Sequence, residues 1–198
     1  MTVVLAYLIG SVPMAIVVAR ILSLPDPRTV GSGNPGATNV LRYGGKLAGV
    51  LTLVGDVVKG VAAAWLARVF TADPWVVAAC GLAVFLGHLY PVFFGFRGGK
   101  GVATALGVWI VLVPAVGGLL VATWIIVALA FRYSSLAALV AAGAAPLYVW
   151  WLAPTDAYVV AAAVMTILLI WRHRGNIRNL LSGTESRIRL SARSVQGR

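Results

Sequence analysis

The sequence predicts an all-α integral membrane protein with seven transmembrane helices, the amino terminus outside and the carboxyl terminus in the cytoplasm. Three observations lead there. Hydrophobic residues make up 61% of the 198 positions and charged residues only 11%, where a soluble domain carries about 25% charged residues. Mean hydropathy is +0.95, so polar surface is too scarce to cover a water-exposed globule. The apolar residues also fall into runs of membrane-spanning length, and the basic residues fall between or after those runs.

A helical span needs roughly 17–25 predominantly apolar residues. Residues 2–19 form the first run; it lacks a basic segment ahead of it and is followed by Arg20, which reads as a retained span and not a cleaved signal. Residues 47–70 form the second and carry Asp56 and Lys59 inside it. Residues 75–94 form the third. Between Lys100 and Arg132 lie 31 uncharged residues broken by Pro114, Gly117 and Gly118, which suits either one long tilted helix or two short ones. Residues 136–153 and a short run at 156–171 complete the set.

The positive-inside rule decides between one helix and two. With two, one side collects Arg20, Arg28, Arg42, Lys46, Arg97, Lys100, Arg132 and the seven arginines from Arg172 onward, and the other keeps only Arg68. With one, the arginine-rich end falls on the wrong side. The two short spans are accommodated by little tilt or by local thinning of the bilayer. Residues 1–190 are expected to form a single membrane domain, and residues 191–198 a basic disordered tail drawn to anionic lipid.

The net charge of +11 does not imply a nucleic-acid partner, because the cations form no contiguous soluble patch. The lone Cys80 rules out an intrachain disulfide and a cysteine metal cluster.

Polar chemistry concentrates in the segments on the cytoplasmic side. Gly31-Ser32-Gly33-Asn34-Pro35-Gly36-Ala37-Thr38-Asn39, followed by Arg42, is too rich in glycine for a regular helix. Its small side chains let backbone N–H groups approach an anion, and Arg42 adds a planar donor fork suited to phosphate. Phe96-Arg97-Gly98-Gly99-Lys100-Gly101 invites comparison with a nucleotide-binding P-loop. The comparison fails, because Phe94 stands where the first glycine belongs and Gly101 where the magnesium-binding hydroxyl belongs. Glycine amides and a lysine ammonium at a helix start still favour phosphate, without nucleotide hydrolysis. Arg132-Tyr133-Ser134-Ser135 is a short turn able to donate hydroxyls to the same anion. Arg172-His173-Arg174-Gly175-Asn176-Ile177 closes the last span on the same side.

The motifs G-S-G-N-P-G-A-T-N-V-L-R (31–42), D-V-V-K-G (56–60), G-H-L-Y-P (87–91), G-G-K-G-V-A-T (98–104), R-H-R-G-N-I (172–177) and G-T-E (183–185) occur in that order. Together they resemble the bacterial acyl-phosphate:glycerol-3-phosphate acyltransferase family of inner-membrane enzymes, over Met1 to about Ile188. The resemblance implies transfer of a fatty acyl group from acyl phosphate to the sn-1 hydroxyl of glycerol 3-phosphate, giving lysophosphatidate and phosphate, with the active site facing the cytoplasm. Acyl phosphate, glycerol 3-phosphate and membrane lipid are the implied partners, and no cofactor or metal is implied.

Ser32, Arg42, Lys100 and His173 are the expected catalytic residues. Gly31, Gly33, Asn34, Gly36, Thr38, Asn39, Gly98, Gly99, Gly101, Ser135 and Asn176 are the expected phosphate-binding set. The resemblance carries Ser32 over as an essential hydroxyl, either an acylated nucleophile or a hydrogen-bonding group. The second role is favoured, because no carboxylate is evidently placed to orient a Ser–His couple. His173 is the best protein base, with a substrate phosphate as its rival. Asp56 and Lys59, three residues apart on a helix, read as a structural intramembrane pair, and His88 as structural too. The alternative function, a small transporter, would use Asp56, Lys59 and His88.

Overall fold

A computed structural model describes residues 1–188; the tail expected at 191–198 lies outside them. Among the described residues the chain is helical, with no strand. Helices α1 (Thr2–Gly10) and α2 (Met14–Ile21) meet at a 45° bend. The single helix expected over residues 2–19 is thus broken. The cause is Pro13, which has no N–H to give and disfavours helical backbone in the residue before it. The break leaves the Val12 carbonyl without a helical partner, and Lys59 Nζ donates to it at 3.0 Å.

Helix α3 (Ala37–Phe70) has 34 residues and contains one non-helical residue, Gly45, at φ 83°. Only glycine adopts that backbone at no steric cost. The segment after this kink matches the expected second span. The segment before it corrects the reading of residues 37–42 as loop: Thr38, Asn39 and Arg42 sit on a helix. Helix α4 (Pro74–Leu89) starts on Asp73, whose carboxylate accepts from the Trp75 N–H at 2.8 Å. It stops short of the expected 94 because Pro91 cannot continue it, and Val92–Phe94 make a 3-10 turn.

The uncharged run divides at Val113 into α5 (Val102–Leu112) and α6 (Pro114–Phe131). Pro114 takes the first helical position, where its missing N–H does no harm. The division is unequal, 11 residues against 18, so only α5 is short. Helices α7 (Ser134–Leu152) and α8 (Asp156–Arg172) follow, and α8 bends 59° into α9 (Arg174–Leu181). Among the described residues, α3, α4 taken together with its 3-10 turn (Pro74–Phe94), α6 and α7 are each long and apolar enough to cross a membrane. The two bent pairs raise that number to six, with α5 too short by itself.

Helix α1 packs on α4, α3 on α5, and α6 and α8 both on α7. Two of these contacts are built on reciprocal glycines. A side chain at Gly10 would strike the Val84 carbonyl and one at Gly87 the Tyr7 carbonyl. The same holds for Gly60 against Thr104 and Gly107 against Val57. Helices in lipid gain little from apolar transfer and associate by such close approach. The main core includes Phe85, Leu89, Val108, Trp109, Val116, Val149 and Met165.

Candidate active site

At one end of the bundle the starts of α3, α5 and α7 meet the α8–α9 bend. Together they surround a cavity of about 460 Å³ with a polar mouth and an apolar interior. Ser32, Asn34, Gly36, Thr38, Asn39 and Arg42 line it from the first glycine segment, Lys100 and Gly101 from the second, and Ser135, His173 and Asn176 from the others. Gly31, Gly33, Gly98 and Gly99 are not among its lining residues.

The first loop is held by Asn39. Its Nδ2 donates to the carbonyls of Pro27 (3.0 Å) and Val30 (3.1 Å), and its Oδ1 accepts the Ser32 N–H at 3.0 Å. Gly31 and Gly33 turn there at φ 59° and 68°. Their work is to make the loop; Ser32 is what the loop presents. Thr38 Oγ1 and Ser134 Oγ, 3.2 Å apart, tie α3 to α7 across the mouth, and Arg42 donates to the Ser186 carbonyl at 3.3 Å.

In the second loop the Gly99 amide is not free to cradle an anion as the sequence suggested. The Gly99 N–H donates to the His88 carbonyl at 3.1 Å. The carbonyls of Gly98 and Gly99 accept from the Arg172 guanidinium at 2.6 and 3.1 Å. A side chain at Gly98 would meet the His88 and Leu89 carbonyls, and one at Gly99 the His88 ring. Both glycines therefore serve close packing, which aims Lys100 at the mouth.

Lys100 Nζ donates to Asn176 Oδ1. Asn176 Nδ2 donates to Glu185 at 2.8 Å, and Ser135 Oγ donates to the same carboxylate oxygen at 2.6 Å. Burial lowers the Lys100 ammonium to about 8 against the pull of Glu185, with Arg172 and Arg42 pushing it further down. His173 is buried at the α8–α9 bend. Its Nδ1 lies 2.8 Å from the Leu169 carbonyl. A carbonyl only accepts, so Nδ1 carries the proton and Nε2 keeps its lone pair. Burial, and then the Lys100 charge, lower His173 to about 4. The imidazole is therefore neutral at physiological pH.

The sequence reading left Glu185 out of the site. It is the only glutamate in the chain, and the G-T-E motif at 183–185 was the available signal. Arg172, counted in the sequence only among the basic residues of one side, proves to be the brace of the second loop and lies over the Tyr90 ring at 5.4 Å. Asp56, Lys59 and His88 form one buried cluster: Lys59 Nζ is 2.9 Å from Asp56 Oδ1 and 2.8 Å from His88 Nδ1. Deeper in the cavity the walls are Trp109, Leu120, Trp124, Ala138, Ala141, Met165 and Leu169.

Residues 1–183 match the sequence model of the family described as glycerol-3-phosphate acyltransferase. A glycerol-3-phosphate acyltransferase of Methylobacillus flagellatus is 55% identical over 184 residues, covering 93% of this chain and 94% of its own. One of Burkholderia ambifaria is 60% identical over 185 residues, covering 92% and 87%. The fold is similar to a crystal structure of PlsY, an integral membrane glycerol 3-phosphate acyltransferase, in its glycerol 3-phosphate form. The TM-score is 0.91 and the identity 45%, over 95% of this chain and 94% of that one. A second PlsY structure, in a lysophosphatidic acid form, gives 0.88 and 44%, over 94% and 93%.

Proposed function

Because the chain belongs to the glycerol-3-phosphate acyltransferase family, we propose that it transfers a fatty acyl group from acyl phosphate to the sn-1 hydroxyl of glycerol 3-phosphate. The products are lysophosphatidate and inorganic phosphate, which begins phospholipid synthesis. The observation that carries this reading is the continuity of one cavity, cationic at its mouth and apolar inside. Both substrates bring phosphate to the mouth, and one brings a long chain to the interior.

In this reading Lys100 and Arg42 neutralise phosphate, with Asn34, Thr38, Ser135 and Asn176 as polar partners. Charge-assisted contacts of this kind are the strong ones. The hydroxyl of glycerol 3-phosphate attacks the acyl carbonyl carbon, and the carbon–oxygen bond to phosphate then breaks. The leaving phosphate takes the electron pair. Ser32 hydrogen-bonds the reacting groups and is not itself acylated. His173 Nε2 accepts a hydrogen bond from the attacking hydroxyl and orients it. The hydroxyl proton passes to the phosphate, whose second ionisation near 6 makes it a better acceptor than an imidazole held at about 4. A mixed anhydride is already activated, so alignment and charge neutralisation are the protein's main contribution.

The same reading sets the chain in the bacterial inner membrane with seven spans: the α1–α2 pair, α3, α4, α5, α6, α7 and α8. The amino terminus is outside, and the site faces the cytoplasm. The asymmetry of basic residues supports it, and thinning of the bilayer beside α5 accommodates that helix.

The test is purified protein in detergent with labelled glycerol 3-phosphate and either palmitoyl phosphate or palmitoyl-CoA. Labelled lysophosphatidate should form with the phosphate donor only. Robust transfer from acyl-CoA would overturn the donor assignment.

A further inference from the structure

The lining of the cavity stops inside the bundle. On α7 its lining runs from Ser135 to Ala145, and on α8 from His173 to Ala162. At 1.5 Å per residue these ten and eleven steps give a depth of about 15–17 Å. Trp109 on α5 lines it about 12 Å below Gly101. Beyond that level Leu112, Val116 and Val149 are buried in the packed core and do not line the cavity. Even the one hydroxyl on the inner wall of α8, Thr166, is turned away, donating to the Ala142 carbonyl at 2.7 Å.

We propose that this floor, built by Trp109, Ala145 and Ala162, selects the length of the acyl chain. The inference rests on the acyltransferase reading above. An extended chain advances about 1.2 Å per atom, from about 3.6 Å for the three backbone atoms of a residue. A slot of about 15–17 Å therefore holds about twelve to fourteen methylenes below the carbonyl. Acyl groups of about fourteen to sixteen carbons fill it.

The donor's chain leaves lipid, not water, so selection comes from fit. A shorter chain leaves part of the slot empty and forfeits contacts along its walls. A longer chain must bend out past Leu53, Val121 and Ile125, the exposed lining residues of α3 and α6.

The experiment measures kcat/KM for acyl phosphates of eight to eighteen carbons, each at fixed mole fraction in mixed micelles. The wild-type enzyme should peak at about fourteen to sixteen carbons and fall about fivefold or more at eighteen, the lower end of an overpacking penalty. Ala145→Phe on α7 and Ala162→Phe on α8 plug the floor from two sides, and both should raise the ratio of ten- to sixteen-carbon kcat/KM. Ala141→Phe, one turn nearer the mouth, should move the peak about five carbons shorter still.

A general structural defect would lower all chain lengths together and leave that ratio unchanged, which would overturn the proposal. So would a wild-type profile that is flat or still rising at eighteen carbons, whatever the variants do. If acyl phosphates fail but acyl-CoA donors show the same peak, the floor stands and the donor assignment falls.

Discussion

Lys59 donates to the Val12 carbonyl across 3.0 Å, joining the middle of α3 to the break between α1 and α2. The same ammonium meets Asp56 and His88. His88 in turn accepts the Gly99 N–H through its own carbonyl, and Lys100 follows Gly99. The buried cluster thus lies behind the second glycine loop and holds it. Lys59 is paired with Asp56, His88 and the Val12 carbonyl at once, which suits a structural role better than a translocated ion.

Lys59→Met strands the buried Asp56 carboxylate and the Val12 carbonyl without their cation. Removing one partner of a buried pair typically costs about 3–5 kcal/mol, so thermal unfolding in detergent should move to markedly lower temperature. The double variant Asp56→Asn with Lys59→Met should recover part of the loss. Equal stability of single variant and wild type would show that the cluster holds nothing.

Lys100→Ala should lower kcat/KM about ten- to a hundredfold, the loss of a charge-assisted contact worth about 1.5–3 kcal/mol. Because the ammonium is lowered to about 8, it is charged below that pH and neutral above it. Wild-type kcat/KM should therefore fall above pH 8. Lys100→Arg keeps its charge at any working pH and should extend the plateau upward. An alkaline limb that Lys100→Arg leaves in place belongs to another group.

Neutral His173, at about 4, has no proton to lose between pH 5 and 8. An acid limb near pH 6 should then come from the second ionisation of substrate phosphate. His173→Gln should slow turnover about two- to tenfold, a lost neutral hydrogen bond to a reacting group, and keep that limb. Its disappearance in the variant would make His173 the base.

Asn39→Ala removes three hydrogen bonds from the loop that presents Ser32. Stability should fall by about 1–3 kcal/mol, the cost of orphaned buried groups. The KM for glycerol 3-phosphate should rise as the loop loses its shape. Unchanged kinetics would separate the loop from the site.

The apolar helices were legible because apolar length is a property of the sequence alone, and Pro114 announced where the uncharged run divides. The break at Pro13 was missed because the apolar run continues through it without interruption. The helical start of α3 was missed for the opposite reason. Glycines at 31, 33 and 36 read as loop, yet regular helix begins immediately after Gly36.

In the site, Ser32, Arg42, Lys100, Ser135, His173 and Asn176 converge as expected. The Gly99 N–H is no anion donor, since it answers to His88, and the carbonyls of Gly98 and Gly99 answer to Arg172. That pairing depends on α4 and α8 lying on either side of the loop, a tertiary relation no local spacing encodes. Glu185 was missed for the same reason, because its partners Ser135 and Asn176 come from two other segments.

The central claim is direct transfer between two substrates held in one cavity, and rapid-quench phosphate release with mass spectrometry tests it. Enzyme mixed with acyl phosphate alone should release no stoichiometric burst, and the quenched protein should carry no acyl adduct. Steady release should begin only when glycerol 3-phosphate is added, because its hydroxyl is the attacking group. A burst equal to the enzyme concentration, with an acyl ester on Ser32 formed as fast as turnover, would contradict the account.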